Sequence, residues 1–154
     1  MVTLVRPQSL DLWNVAAELV DEYAAALGIS LDFQDFGHER AHLADEYGPP
    51  TGAFLLAEEH ADYLGCGAIR EWTADSCEMK RLYVRPRNQN RGVGRLIAAS
   101  LIEEARRLGY RRVLLDTLPS MRTAQSLYRS LGFRPVDAYR FNPVEGTTFL
   151  ALDL

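Results

Sequence analysis

Apolar residues change their period along the chain. Leu12, Val15, Ala16, Leu19, Val20 and Tyr23 follow helical spacing after Ser9, a good helix cap, and Gly28 closes the segment. Thr3–Val5 reads as a short strand before it. Residues 29–37 read as irregular, and His38–Glu46 as a second short helix. Past the Tyr47-Gly48-Pro49-Pro50 loop the pattern becomes strand-like over Gly52–Glu58, Tyr63–Glu71 and Cys77–Val84. The turns between them, Glu59–Asp62 and Trp72–Ser76, are short enough for hairpins. The second half alternates helices with strands. Val93, Leu96, Ile97, Leu101, Ile102 and Ala105 stripe a helix over Val93–Leu108, stopped by Gly109. Arg112–Asp116 is a short buried strand. Pro119-Ser120 opens a further helix with Ser120 as its cap, lined by Ala124, Leu127, Tyr128 and Leu131 and ended by Gly132. Phe133–Tyr139 and Thr147–Leu152 are the last strands. This order predicts an α/β fold: a mixed sheet with helices packed on it.

A length of 154 residues, 47% hydrophobic and 25% charged, fits one soluble domain spanning 1–154. There is no repeat, low-complexity tract or linker. The longest nearly apolar run, Leu96–Ile102, falls far short of the roughly 20 residues of a membrane span. Arg6, Asp11 and Glu18 interrupt any secretory leader. Two cysteines, Cys66 and Cys77, make neither a disulfide framework nor a zinc site and suit a reducing cytoplasm. His38 and His42 lie one helical turn apart without a clear third ligand, so no metal is expected. Phe33, Phe36, Tyr47 and Trp72 read as core, and Asp35, Glu39, Asp45 and Glu46 as a solvated acidic surface.

Charge is distributed unevenly. Residues 1–78 carry 15 acids against 3 arginines, whereas residues 79–154 carry 6 acids against 13 arginines and Lys80. A basic half on a protein of net charge −4 points to a local anion site, not to nucleic acid or a membrane. Its densest part is Arg85, Arg87, Arg91 and Arg95, with no acid among them.

The same stretch holds the informative motif. After Leu82-Tyr83-Val84 a polar loop, Arg85-Pro86-Arg87-Asn88-Gln89-Asn90-Arg91, leads to Gly92-Val93-Gly94-Arg95 at a helix start. Helix starts offer free N–H groups and the positive macrodipole end, and glycines admit a phosphate to that backbone. A P-loop is excluded because Gly94-Arg95-Leu96 lacks Gly-Lys-Ser/Thr. A dinucleotide fingerprint lacks its third glycine, since Ile97 stands there. Asp116 lies at about the distance of a ribose contact, which keeps a nucleotide-dependent oxidoreductase as a rival. Gln89, Gly92 and Gly94 match a third signature, Q/R-x-x-G-x-G/A.

With its flanks, this motif resembles the GNAT superfamily of acetyl-CoA-dependent N-acetyltransferases. Lys80-Arg81-Leu82-Tyr83-Val84-Arg85-Pro86 resembles the strand before the family's pyrophosphate loop. Gly109-Tyr110 with Val113-Leu114-Leu115 resembles the next helix end and strand, and Ala124, Leu127-Tyr128 and Gly132-Phe133 resemble its A-x-x-L-Y-x-x-x-G-F block. The match covers about residues 77–136, and residues 1–75 correspond to the family's variable acceptor side.

The resemblance implies a mostly antiparallel sheet with one splayed parallel pair. It implies acetyl-CoA as cosubstrate, with pantetheine on the backbone of Leu82, Tyr83 and Val84. Pyrophosphate would sit on Gln89, Asn90, Arg91, Gly92, Val93, Gly94 and Arg95. The partner would be a small-molecule or peptide amine, and a homodimer is compatible with it. Acyl transfer to an amine needs a proton acceptor and an acid for the thiolate. Tyr128 matches the family's general acid, and Glu78, the only acid on its strand, its base. Strand alternation would put Glu78 on the face of Lys80, Leu82 and Val84, unless a bulge changes the parity. Met121 stands where the family often has asparagine, so any amide contact there is lost or replaced, with Ser120 a candidate substitute. A CoA-binding sensor or interaction module without turnover is the alternative on the same fold.

Overall fold

Residues 1–154 are described by a computed structural model. Strand β1 (Thr3–Val5) leads to helix α1 (Leu10–Leu27). The Ser9 hydroxyl accepts from the Leu12 N–H at 3.2 Å, and Gly28 ends the helix at φ 68°. A single 3-10 turn, Asp32–Gln34, is followed by α2 (Phe36–Ala41) and α3 (Leu43–Tyr47). The helix predicted over His38–Glu46 is therefore two helices, broken where His42 leaves the helical region at φ −132°, ψ 37°. Residues 29–37, predicted irregular, hold the 3-10 turn and the start of α2.

Strands β2 (Ala53–Glu59), β3 (Asp62–Glu71) and β4 (Ser76–Val84) form an antiparallel meander. His60 and Ala61, at φ 51° and 61°, make the tight turn between β2 and β3. Then come α4 (Val93–Arg107), β5 (Arg112–Thr117), α5 (Arg122–Ser130), β6 (Arg134–Pro135) and β7 (Thr148–Asp153). The seven strands lie in the order β1-β2-β3-β4-β5-β7-β6. Only β4 and β5 are parallel neighbours. This is the mixed sheet with flanking helices that the sequence predicts.

Helices α4 and α5 cover one face. Ile97, Leu101 and Tyr128 are buried there with Leu55, Ile69 and Met79. On the other face Ala16, Leu19, Val20, Leu43 and Tyr47 pack on Phe54, Leu56, Cys66 and Ala68. Each fully buried large aliphatic contributes about 1.5–3 kcal/mol, so the sheet is clamped from both sides. Cys66 and Cys77 belong to opposite cores, and burial pushes both thiols up to about 12. No helix is long and apolar enough to cross a membrane.

Two predicted boundaries shift. Ser120 caps nothing: α5 starts at Arg122, with Met121 in the cap position and no side-chain acceptor. The Gln125 amide instead donates to the Leu118 carbonyl at 2.7 Å. The strand predicted over Phe133–Tyr139 shrinks to Arg134–Pro135, because Pro135 has no N–H for the ladder. The Val136 N–H still reaches the Phe149 carbonyl at 2.9 Å. The chain then leaves the sheet, and Tyr139 and Arg140 meet Glu78.

Candidate active site

The site grows from an irregularity in β4. Lys80 pairs with Ala68 and Tyr83 with Cys66, so Arg81 and Leu82 together oppose Gly67. Arg81, at φ 61°, carries this bulge. The extra residue reverses the alternation. Met79, Leu82 and Val84 face the α4 core, whereas Tyr83 packs on the α1 side and Glu78 meets Arg70, itself bound to Glu46 of α3. The expected single face for Glu78, Lys80, Leu82 and Val84 is thus corrected, with the bulge dividing the set.

On its other side β4 meets β5 at three positions only: Ser76↔Arg112, Cys77↔Val113 and Glu78↔Leu114. Strand β5 stays paired with β7 through Thr117, so β4 and β5 part beyond Glu78. The edge of β4 from Met79 to Val84 has no strand partner there. A cleft opens at this splay, lined by Lys80, Leu82, Asp116, Tyr128 and Asn142 among others.

At the end of β4 the chain makes a 3-10 turn, Pro86–Asn88, and enters α4 through Gly92. The Gln89 side chain donates to the Val84 carbonyl at 3.1 Å and ties the loop to the strand. Asn90 and Gly92 take left-handed backbone, at φ 64° and 79°. None of the N–H groups from Asn90 to Arg95 donates to a protein acceptor. Six free donors at a helix start make a seat for a phosphate. A Cβ added to Gly94 would meet Val84 and Leu127 at an ordinary 3.6 and 3.7 Å, so the protein itself does not require glycine there. What glycine leaves open is the approach of a ligand.

The basic cluster is less free than its sequence implies. Arg85 pairs with Glu22 at 2.7 Å and Glu18 at 3.2 Å, Arg87 with Asp62 at 2.9 Å, and Arg91 with Glu59 at 2.8 Å. Arg95 has no carboxylate partner and donates to the Ser130 hydroxyl.

Tyr128 is 5% exposed, with its ring edge-on to Phe133 at 5.6 Å between centroids. Its hydroxyl has no protein partner, although a buried tyrosine normally finds one. Burial pushes that hydroxyl above its ordinary value, so it stays protonated at neutral pH. Across the cleft Lys80 is also 5% exposed, and its ammonium donates to Gln34 Oε1 at 2.9 Å. Burial, and then the adjacent Arg81 charge, lower the Lys80 pKa to about 7. The Asp116 side chain accepts from the Asn142 amide at 3.0 Å.

Glu78 has a different setting. It is fully buried and does not line the cleft. Arg140 Nη1 reaches its two oxygens at 2.9 and 2.8 Å, the Tyr139 hydroxyl donates at 2.7 Å and Arg70 Nη2 at 3.3 Å. Burial alone would raise the carboxyl, but Lys80 and Arg140 outweigh it and hold it below its ordinary value. Beside it Arg81 binds both Glu39 oxygens at 2.7 Å and lies over the Tyr23 and Phe36 rings. Glu39, expected on a solvated surface, is buried by this pairing. Of the four aromatics, Tyr47 is core, Phe33 lines the cleft, Phe36 covers Arg81 and Trp72 packs on Tyr139 and Arg140. His38 and His42 stack at 4.3 Å, and the His42 Nδ1 bonds to the His38 carbonyl at 2.8 Å.

The Acetyltransferase (GNAT) family matches residues 15–133. The chain belongs to the GNAT acetyltransferase family. An uncharacterized N-acetyltransferase of Schizosaccharomyces pombe is 38% identical over 150 residues, which covers 96% of this chain and 90% of that protein. A Streptococcus agalactiae acetyltransferase superposes with a TM-score of 0.80 at 20% identity, covering 99% and 98% of the two chains. A GNAT family acetyltransferase from Elizabethkingia anophelis, solved with acetyl-CoA bound, gives 0.64 at 20% identity with 99% and 98% coverage. These two share the fold.

This GNAT acetyltransferase is an acyl-transfer enzyme, which closes the dinucleotide reading of Asp116. Its structure brings Leu82, Tyr128 and the free edge of β4 to one cleft, with the Gln89–Arg95 loop at the end of that edge. Tyr83 contributes backbone to the edge, but its side chain turns to α1 and donates to Glu22 at 3.3 Å. Glu78 is not brought to the cleft. The cleft residues missing from the sequence reading are Gln34, Lys80 and Asn142 as site groups, and Asp116 in this setting. Gln34 and Asn142 lie outside regular helices and strands, where periodicity carries no signal. The bulge concealed which way Lys80 points.

Proposed function

We propose that this GNAT acetyltransferase moves acetyl from acetyl-CoA to a primary amine by direct attack in a ternary complex. The observation that carries this reading is the splay, which joins an unpaired strand edge, a row of free N–H groups and an unpartnered tyrosine hydroxyl. These residues fit the cosubstrate. The N–H groups from Asn90 to Arg95 would hold the pyrophosphate, with Arg95 beside them, and the backbone of Leu82, Tyr83 and Val84 the pantetheine amides. Bound acetyl-CoA supplies an acyl carbon activated by its thiolate leaving group.

Tyr128 holds the proton for that sulfur. Burial keeps that hydroxyl protonated at neutral pH, so a proton is in place as the sulfur departs. Glu78, expected as the base, is in this reading a positioning residue, since its oxygens are committed to Arg140, Tyr139 and Arg70. Asp116 is the cleft carboxylate without a cationic partner, and it receives the amine proton directly or through water. Neither cysteine lines the cleft, which favours direct attack over an acyl-enzyme. Two free buried thiols suit a cytoplasmic enzyme.

Tyr128→Phe tests the reading, because it removes only the hydroxyl. The expected result is a fall in kcat of about 10²-fold or more, with CoA Kd nearly unchanged. The stability change should not exceed about 1 kcal/mol. A variant at full speed would remove Tyr128 from the chemistry. A parent protein that binds CoA and transfers to no amine would make it a CoA sensor.

A further inference from the structure

We infer that the acceptor is an amine that also carries a carboxylate, an amino-acid-like zwitterion, whose carboxylate is anchored by Lys80 while Asp116 holds its amine. The inference rests on the transfer reading and names its substrate class. Buried charges in this fold are otherwise matched. Glu78 has Arg140 and Arg70, and Arg81 has Glu39. Lys80 is the exception: it is 5% exposed, and its hydrogen-bond partner is the neutral Gln34 amide oxygen at 2.9 Å. An ammonium has three donors, so two remain for a ligand. No carboxylate contacts this ammonium, since Glu78 and Asp116 act on it only through space, and a bound carboxylate would supply a direct partner.

Asp116 is the complement. It has no cationic partner, its side chain accepts only from Asn142 at 3.0 Å, and it lines the same cleft as Lys80. The two stand on β4 and β5, the strands that separate there. Opposite charges on the two lips of one cleft match a zwitterionic ligand. A polyamine would bring a second cation against Lys80 and Arg81. A plain monoamine would leave Lys80 without a carboxylate contact. Tyr23, Leu31, Phe33, Leu118 and Met121 complete the lining of the cleft.

The experiment compares leucine, leucinamide and isoamylamine as acceptors, with thiol release and product mass as the signals. The expected kcat/KM for leucine exceeds that for the other two by about 10²-fold, as for a site built around a polar group that the analogues lack. In Lys80→Met, which keeps the length of the side chain, the leucine-to-isoamylamine ratio falls towards one. Calorimetry on the CoA-loaded protein supplies a readout independent of turnover. N-acetylleucine should bind more tightly than N-isoamylacetamide to the parent protein, a comparison that needs no variant to fold. Equal rates and equal binding would overturn the anchor and leave acetyl transfer standing. Selective binding of N-acetylleucine without transfer to any amine would keep the anchor and refute the transfer reading.

Discussion

Glu78 and Lys80 stand two residues apart on β4, and their surroundings set their chemistry apart. Replacing Glu78 with Gln leaves Arg140 and Arg70 facing a neutral amide in a buried setting. Breaking such a pair costs about 3–5 kcal/mol, so the melting temperature should drop sharply. The kcat-against-pH profile should keep its shape, and a selective loss of rate at low pH would restore Glu78 as the base. The folded carboxyl lies below its ordinary 4.5. Its stabilisation is therefore complete at neutral pH and is lost as pH falls through the folded value. Melting curves of parent and Glu78→Gln should converge as pH falls below about 4.5, and parallel curves would count against the network. Tyr128 was legible in the sequence because its flanks carry a pattern. Lys80 was not, because the bulge at Arg81 turns Leu82 and Val84 away from the face that Lys80 shares with Glu78, against simple alternation.

At the scale of elements, the bulged end of β4 depends on how closely β3 approaches. A Cβ added to Gly65 would lie 2.3 Å from the Tyr83 carbonyl oxygen and 3.1 Å from the Val84 Cα. Both are backbone atoms, so Gly65→Ala must push β4 away. The expected loss is about 1–3 kcal/mol. Weaker CoA binding should accompany it, since the displaced segment is the proposed pantetheine edge. Gly94→Ala makes the opposite case. Its surroundings leave room, so the melting temperature should hold while CoA Kd rises about tenfold or more, roughly 1.4 kcal/mol, by calorimetry. An unchanged Kd would remove the α4 mouth from the site. The helices α1 and α4 were readable because each buries one stripe against a core, and the β2–β4 meander because its strands, covered on both faces, are bounded by short turns. The strand after Gly132 was not, because one proline and a buried glutamate draw the chain out of the sheet.

Across the whole molecule, part of the uneven charge of the two halves proves to be internal complementarity. Acids of the first half, among them Glu18, Glu22, Glu39, Glu59, Asp62 and Glu78, pair with arginines of the second. The sequence showed the imbalance but not the pairing, because the partners lie far apart along the chain. What it did show correctly was the family, since the motifs over 77–136 fall in one order and belong to one splay.

That pairing has a consequence for how a polyanion would arrive. Four unpaired guanidinium groups would attract CoA from beyond the Debye length of about 10 Å at 0.1 M salt, and association would slow steeply as salt rises. Here Glu22, Asp62 and Glu59 already neutralise Arg85, Arg87 and Arg91, so little field reaches outward. Stopped-flow association of CoA should show only a shallow salt dependence. Glu59→Gln should steepen it and speed capture at low salt, because the guanidinium it releases lies in the loop that receives the phosphates.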